Sequence, residues 1–177
     1  MRARCHLVVS AAVALALGAC AAPMMKAPDV PAAIAVPPGH NVAMTAVGAG
    51  DLAYECRAKA GAATDYEWAF VGPDAVLYSQ DRTATIGKYY GGPTWESSDG
   101  SKVTGKQLAV SPGKPGAIPL QLVQANPSTG TGAMTNVAYI QRLNTQGGTA
   151  PATPCSASNV GKKETVKYQA DYVFYKK

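Results

Sequence analysis

Val166-Lys167-Tyr168-Gln169-Ala170-Asp171-Tyr172-Val173-Phe174-Tyr175 decides the fold class. Val166, Tyr168, Ala170, Tyr172 and Phe174 share one side, while Lys167, Gln169 and Asp171 point to the other. That period of two is the signature of a strand with one face buried. Working outward, the other apolar stretches are short and rich in Tyr, Val and Thr, with turn residues between them. They are Leu52–Cys56, Tyr66–Val71, Ala75–Ser79, Thr85–Tyr90, Thr94–Ser97, Ser101–Gly105, Ala117–Gln124 and Ala133–Leu143. Gly72-Pro73-Asp74 reads as a turn between the second and third, and Ser98-Asp99-Gly100 as a hairpin turn. Only Ala58–Ala63 offers anything helical, a turn or two. The expectation is all-β: a single antiparallel β-sandwich or barrel-like domain of about eight short strands.

Composition agrees. Among 177 residues, Gly and Pro number 18 and 13 while charged residues are 15%, which favours turns over long solvated helices. After residue 19, Ile, Leu, Val and Phe make up only 25 of 158 residues. Nine Tyr and two Trp supply the missing apolar bulk. A helical bundle, a coiled coil and a polytopic membrane protein are excluded.

The start of the chain reads as an address. Arg2 and Arg4 precede an apolar run from Leu7 to Ala19, broken only by Ser10 and ending Leu17-Gly18-Ala19-Cys20. Such a run is too short to span a bilayer and has the form of a signal peptide. Small residues before a cysteine resemble the bacterial lipoprotein processing box, so Cys20 is expected to carry lipid, palmitate included. Ala21, in place of Asp, resembles the outer-membrane sorting choice. The organisation expected is a signal peptide at 1–19, a lipidated Cys20 with a Pro/Ala-rich extended linker at 20–39, and a β-rich domain at 40–177. The location expected is the bacterial envelope, on the outer membrane facing the periplasm, with the lipid as the contact to the membrane.

Loss of residues 1–19 removes two of 16 basic side chains and none of 11 acidic ones. The remaining excess gathers near the end, at Lys162, Lys163, Lys167, Lys176 and Lys177, a solvated strand end rather than a nucleic-acid surface. Cys5 leaves with the signal peptide and Cys20 is committed to lipid, so Cys56 and Cys155 are expected to pair in an oxidising compartment. Closing a loop of about 100 residues stabilises by up to ~4.7 kcal/mol in the chain-entropy model. His40 is the one histidine left after residue 19, so neither a metal site nor any cofactor is expected.

Four segments carry a resemblance. They are Tyr54-Glu55-Cys56 with Trp68 and Pro73-Asp74-Ala75-Val76-Leu77; Gly91-Gly92-Pro93-Thr94-Trp95-Glu96 with Asp99-Gly100-Ser101; Tyr139 through Gly148 with Pro151 and Cys155; and Tyr168 through Tyr175. Together they resemble the exported family catalogued as domain of unknown function 3455, found in bacteria and fungi. The chain departs from that pattern at Lys88-Tyr89-Tyr90, where a His is frequent, and at Leu120-Gln121, where a Trp is common. The resemblance implies no activity.

Candidate chemistry is sparse. Gly48-Ala49-Gly50-Asp51-Leu52-Ala53 has dinucleotide-fingerprint spacing, yet a strand rather than a helix follows, so a turn before a strand is expected. Trp95, Glu96, Asp99 and Arg142 form the candidate ligand set: an aromatic to stack on a sugar, and carboxylates and a guanidinium for its hydroxyls. Glu96 and Asp99 are also the weak candidates for a general acid and base. The plainer alternative puts Trp95 in the core, Asp99 in the turn, and Arg142 in a pair with Glu96 or Asp171 across the sheet. Tyr54, Tyr66, Tyr78, Tyr89, Tyr90, Tyr139, Tyr168, Tyr172 and Tyr175 either form an aromatic groove or fill a core boundary. Asn144-Thr145-Gln146-Gly147-Gly148 is expected to be a tight polar turn. The leading functional expectation is a non-enzymatic cell-envelope lipoprotein binding a glycan or an envelope protein. The alternative is an envelope polysaccharide hydrolase or lyase working through Glu96 and Asp99.

Overall fold

A computed structural model describes residues 25–62 and 64–177, so the segment read as a signal peptide and Cys20 lie outside the described residues. The alternation of the C-terminal stretch becomes β8 (Lys163–Lys176), the last of eight strands. The others are β1 (Asn41–Ala58), β2 (Tyr66–Tyr78), β3 (Thr85–Tyr90), β4 (Thr94–Ser97), β5 (Lys102–Ser111), β6 (Leu120–Ala125) and β7 (Tyr139–Gly147). Each strand pairs antiparallel with the next, and β8 pairs with β1, which closes the sheet into an up-and-down barrel. Of the two architectures left open by the sequence, the barrel is the one formed. Closure leaves no sheet edge to protect.

The inner face is a packed aromatic core. Tyr168, Ala170, Tyr172 and Phe174 of β8 meet Leu52 and Tyr54 of β1, Leu77 of β2, Tyr89 of β3, Trp95 of β4 and Ile140 of β7. Charged side chains such as Lys88, Glu96, Asp51 and Lys167 pair on the outside. Apolar inside and charged outside is the reverse of the arrangement with which a barrel spans a bilayer. The room inside is bought by glycine: a Cβ at Gly48 would stand 2.6 Å from the Tyr172 ring, and one at Gly50 2.3 Å from the Asp74 carbonyl. Gly48-Ala49-Gly50 is therefore mid-strand, not the turn its spacing suggests.

Two further turns read from the sequence are strand. Gly72-Pro73-Asp74 lies within β2, whose register with β1 slips between Ala53 and Tyr54. Pro73 is tolerated because β2–β3 pairing stops at Asp74, so β2 has one neighbour there. Asn144-Thr145-Gln146-Gly147 continues β7 through a bulge, with Asn144 at φ 49° and the Thr145 hydroxyl donating to the Ile118 carbonyl at 2.6 Å. Ala58 ends β1 as strand and no helix forms among residues 58–62. The Cys56–Cys155 disulfide forms as expected, with Cα atoms 5.5 Å apart, and ties the β7–β8 connection to β1.

The stretch assigned to the linker is docked from Met25 onward. Met25 bridges to Val42, and the short 3-10 turn Ala32–Ile34 buries Ile34 completely against Val42, Leu122, Leu143, Val173 and Tyr175. This strap explains why Val173 and Tyr175, on the outer face by parity, are buried. The Gln141 amide donates to the Ile34 carbonyl at 2.7 Å and accepts from the Tyr175 hydroxyl at 2.6 Å. Proline's fixed φ limits what the strap loses on docking, and burying Ile34 contributes roughly 1.5–3 kcal/mol. His40 ends the strap, with Nδ1 3.0 Å from the Pro37 carbonyl and its ring edge-on to Tyr139.

The two barrel ends differ. At one, the β6–β7 connection drops Met134 and Val137 into the core. At the other, between the β3–β4 turn and the β5–β6 connection, the interior opens.

Candidate functional site

The opening is a cavity of about 400 Å³. Leu52, Tyr89 and Tyr168 line it from the core, Phe70 through Pro73 of β2 and Gly92-Pro93 form one wall, and Ile118-Pro119 forms another. Its polar members are Gln107 of β5, Gln121 of β6, Arg142 of β7 and the phenols. β2 runs unpaired toward β3 here, which leaves Phe70 and Val71 53% and 45% exposed at the rim. Concave, mainly apolar and furnished with a few polar groups, the mouth has the attributes of a small-ligand site.

Arg142 reaches the mouth by strand parity. Ile140 is in the interior core, and two residues on the same face places the guanidinium above it. Its Nε and Nη2 donate to the Pro119 carbonyl at 3.2 and 2.9 Å. The ion pairs of the described residues join Arg57 with Glu55, Lys88 with Glu96, Lys162 with Glu164 and Lys167 with Asp51; none includes Arg142. Neither Glu96 nor Asp171 is its partner: Asp171 accepts instead from the Asn144 amide at 2.7 Å.

The phenols around it stay neutral. Burial pushes the Tyr54, Tyr89, Tyr168 and Tyr172 hydroxyls up from their ordinary value, against the opposing pull of the Arg142 charge. Tyr54 donates to the Gly148 carbonyl at 2.6 Å, and the Tyr168 and Tyr172 hydroxyls are 3.3 Å apart. They offer dipoles, not a base.

The candidate set read from the sequence is not assembled in one place. Trp95 is 1% exposed in the core, stacked on Tyr89 at 4.8 Å and edge-on to Tyr172, so it presents no face to a sugar. Its indole N–H has no acceptor among the described residues. Glu96, one residue on, points outward and accepts from the Tyr90 hydroxyl at 2.6 Å beside Lys88 at 3.2 Å. Those two hydrogen bonds hold its carboxyl below the usual range. Asp99 is a structural hub at the plugged end, accepting from the Ser101 N–H and hydroxyl and from the Ala133 N–H at 2.7 Å. These donors bring it down to about 2. Two carboxyls both held low, with neither in the cavity, supply no general acid. Arg142 alone of the four lines the mouth. The aromatic-groove reading holds for Tyr54, Tyr89 and Tyr168, which line it; the remaining tyrosines do not. Gln107, Gln121 and Phe70 were not anticipated, and their only signal was strand parity.

The family model described as protein of unknown function DUF3455 matches residues 37–176. That span begins at the end of the strap and takes in every strand of the barrel. No curated protein and no solved structure matches the chain.

Proposed function

The chain belongs to the DUF3455 family, and we propose that it is a non-enzymatic, lipid-anchored envelope protein whose barrel mouth binds a small molecule of that compartment. The observation that carries the reading is the cavity of about 400 Å³ at the open end, sealed below by Leu52, Tyr89 and Tyr168 and edged by a single cation. The other end of the same barrel is filled by Met134 and Val137, so leaving this end as a concave, solvent-open apolar surface gives up burial that the fold is able to make. Export is supported by the Leu17-Gly18-Ala19-Cys20 ending of the apolar run and by the Cys56–Cys155 disulfide. A non-enzymatic role is supported by the chemistry of the mouth, where the phenols are neutral and no carboxyl group is among the lining side chains.

Two measurements test the reading. Mass spectrometry of membrane-extracted protein is expected to find an acylated Cys20, and Cys20→Ala to release the protein from the membrane fraction; a mature N-terminus beyond Cys20 overturns the anchor. Native mass spectrometry after incubation with an envelope small-molecule extract is expected to show a bound mass. Gln121→Trp, which fills the mouth from β6, is expected to lose it. Binding that survives this substitution places the ligand elsewhere and overturns the site.

A further inference from the structure

We propose that the mouth selects a monoanionic amphiphile, a single carboxylate on a ring-sized apolar body, with the carboxylate held end-on by Arg142; the inference rests on the mouth being the ligand site.

Three observations lead there. The first is charge. Arg142 is the one charged side chain lining a cavity that is otherwise apolar, aromatic or amide. No carboxylate among the described residues pairs with it. A cation at the edge of an apolar wall has few protein groups to answer it, and a ligand anion seated against that wall sheds the water that would otherwise screen the pair. The neutral phenols nearby soften that field through their dipoles but do not cancel its charge. A cationic ligand is repelled, and a neutral one leaves the guanidinium's remaining donors with water at the rim.

The second is hydrogen-bond geometry. A guanidinium has five N–H donors in one plane. Nε–H and one Nη2–H are spent on the Pro119 carbonyl. The outer edge keeps a parallel pair, one N–H from each terminal nitrogen, which matches the two oxygens of a carboxylate. The Pro119 contact fixes the plane in advance, so little side-chain freedom is lost when an anion docks.

The third is the body the rest of the cavity fits. Tyr54, Tyr89, Tyr168 and Phe70 offer ring faces and edges, with Tyr54 and Phe70 already edge-on at 5.6 Å. About 400 Å³ is at the lower end of small-ligand sites, which suits one or two rings rather than a long chain.

The test uses the mature full-length protein in detergent and three matched probes: 2-naphthoate, its neutral amide 2-naphthamide, and cationic 2-naphthylmethylamine. Isothermal titration calorimetry at low salt is expected to rank naphthoate above naphthamide by about tenfold or more, the fold-change a charge-assisted pair supplies. The amine is expected to bind weakest. Added salt shrinks the preference. Arg142→Gln and Arg142→Met are both expected to erase the acid-over-amide preference, and either variant that keeps its near-ultraviolet circular dichroism serves. Equal binding of acid and amide, or a preference that survives loss of the guanidinium, overturns the anion inference. If Gln121→Trp then removes both probes, the site reading stands without it. If none of the three probes binds, the ligand site itself is overturned.

Discussion

At the plugged end of the barrel the β6–β7 connection is drawn inward: Met134 and Val137 fill the interior, and Asp99 holds the connection through the Ala133 N–H while the Ser101 hydroxyl accepts from the Met134 N–H. At the open end the connections stand apart, Phe70 and Val71 face solvent, and Arg142 has a carbonyl but no carboxylate. Both ends are built from the same eight strands, so the difference is one of side-chain choice rather than topology. At the plugged end the Asp99 carboxylate, the Ser101 hydroxyl and the N–H groups of Ala133 and Met134 are all paired with one another, an arrangement that serves stability. The open end leaves apolar surface and a cation unanswered, which stability alone does not favour and ligand binding does. The disulfide apart, substitutions are thus expected to separate: stability lost below, binding lost above.

The largest effect is expected at Trp95, which joins the two halves by stacking on Tyr89 beneath the mouth and meeting Tyr172 below it. Trp95→Ala leaves a large internal cavity and is expected to cost about 3–5 kcal/mol in urea unfolding. A loss under about 1 kcal/mol, with the fold retained, breaks the assignment of Trp95 to the core. The open end has its own fastener in Cys56–Cys155. Cys56→Ala with Cys155→Ala is expected to cost roughly 2–5 kcal/mol by the same measurement. A double variant as stable as the parent would show that the β7–β8 connection is held to β1 by its hydrogen bonds alone.

How far the sequence disclosed this contrast follows from what each feature depends on. The β8 alternation was legible because one side chain in two faces an apolar core, and Thr85–Tyr90 and Thr94–Ser97 emerged with the same bounds. Gly48, Gly50 and Pro73 misled, since glycine and proline mark turns by their local preferences. Here glycine makes room for Tyr172, and proline sits where β2 lacks a second neighbour. The strap was hidden because its docking rests on Ile34 within a Pro/Ala-rich run that has no period. The mouth was hidden for a related reason: Tyr54, Tyr89 and Tyr168 come from three strands far apart in sequence, and the extra residue Val71 in β2 breaks the parity count beside Phe70. Arg142 was the exception. A guanidinium two residues from Ile140, on what must be an apolar face, is a visible conflict between pattern and burial.

Next in size is the plugged end's polar hub. The Asp99 carboxyl is held at about 2, below its ordinary value, by hydrogen bonds from Ser101 and Ala133. A carboxylate lowered on folding adds stability above its unfolded pKa and loses that contribution as pH falls toward its folded one. Asp99→Asn is therefore expected to be less stable than the parent at pH 7, with the deficit shrinking between about pH 4 and pH 2. A deficit that is constant over that range would assign the loss to geometry, not charge, and would remove the electrostatic part of the contrast between the ends.

The smallest effect on stability, and the sharpest for the comparison, is expected at Arg142. Arg142→Met keeps an unbranched apolar stem but is two atoms shorter, removes the charge, and gives up the two donors to Pro119. The Pro119 carbonyl, at the rim, can turn to water, so its loss is modest. Against that loss stands relief from holding an unpaired cation on an apolar wall, and replacing such a charge by an apolar group of similar size is often neutral or stabilising. Urea unfolding is expected to put Arg142→Met within about 1 kcal/mol of the parent, or above it. A loss beyond about 2 kcal/mol would make Arg142 a strut that fastens the β5–β6 connection to β7, and the open end would then owe its cation to the fold. A neutral or stabilised variant leaves binding as the reason for an arginine there, because a residue that costs the fold nothing to lose has no structural claim on its position.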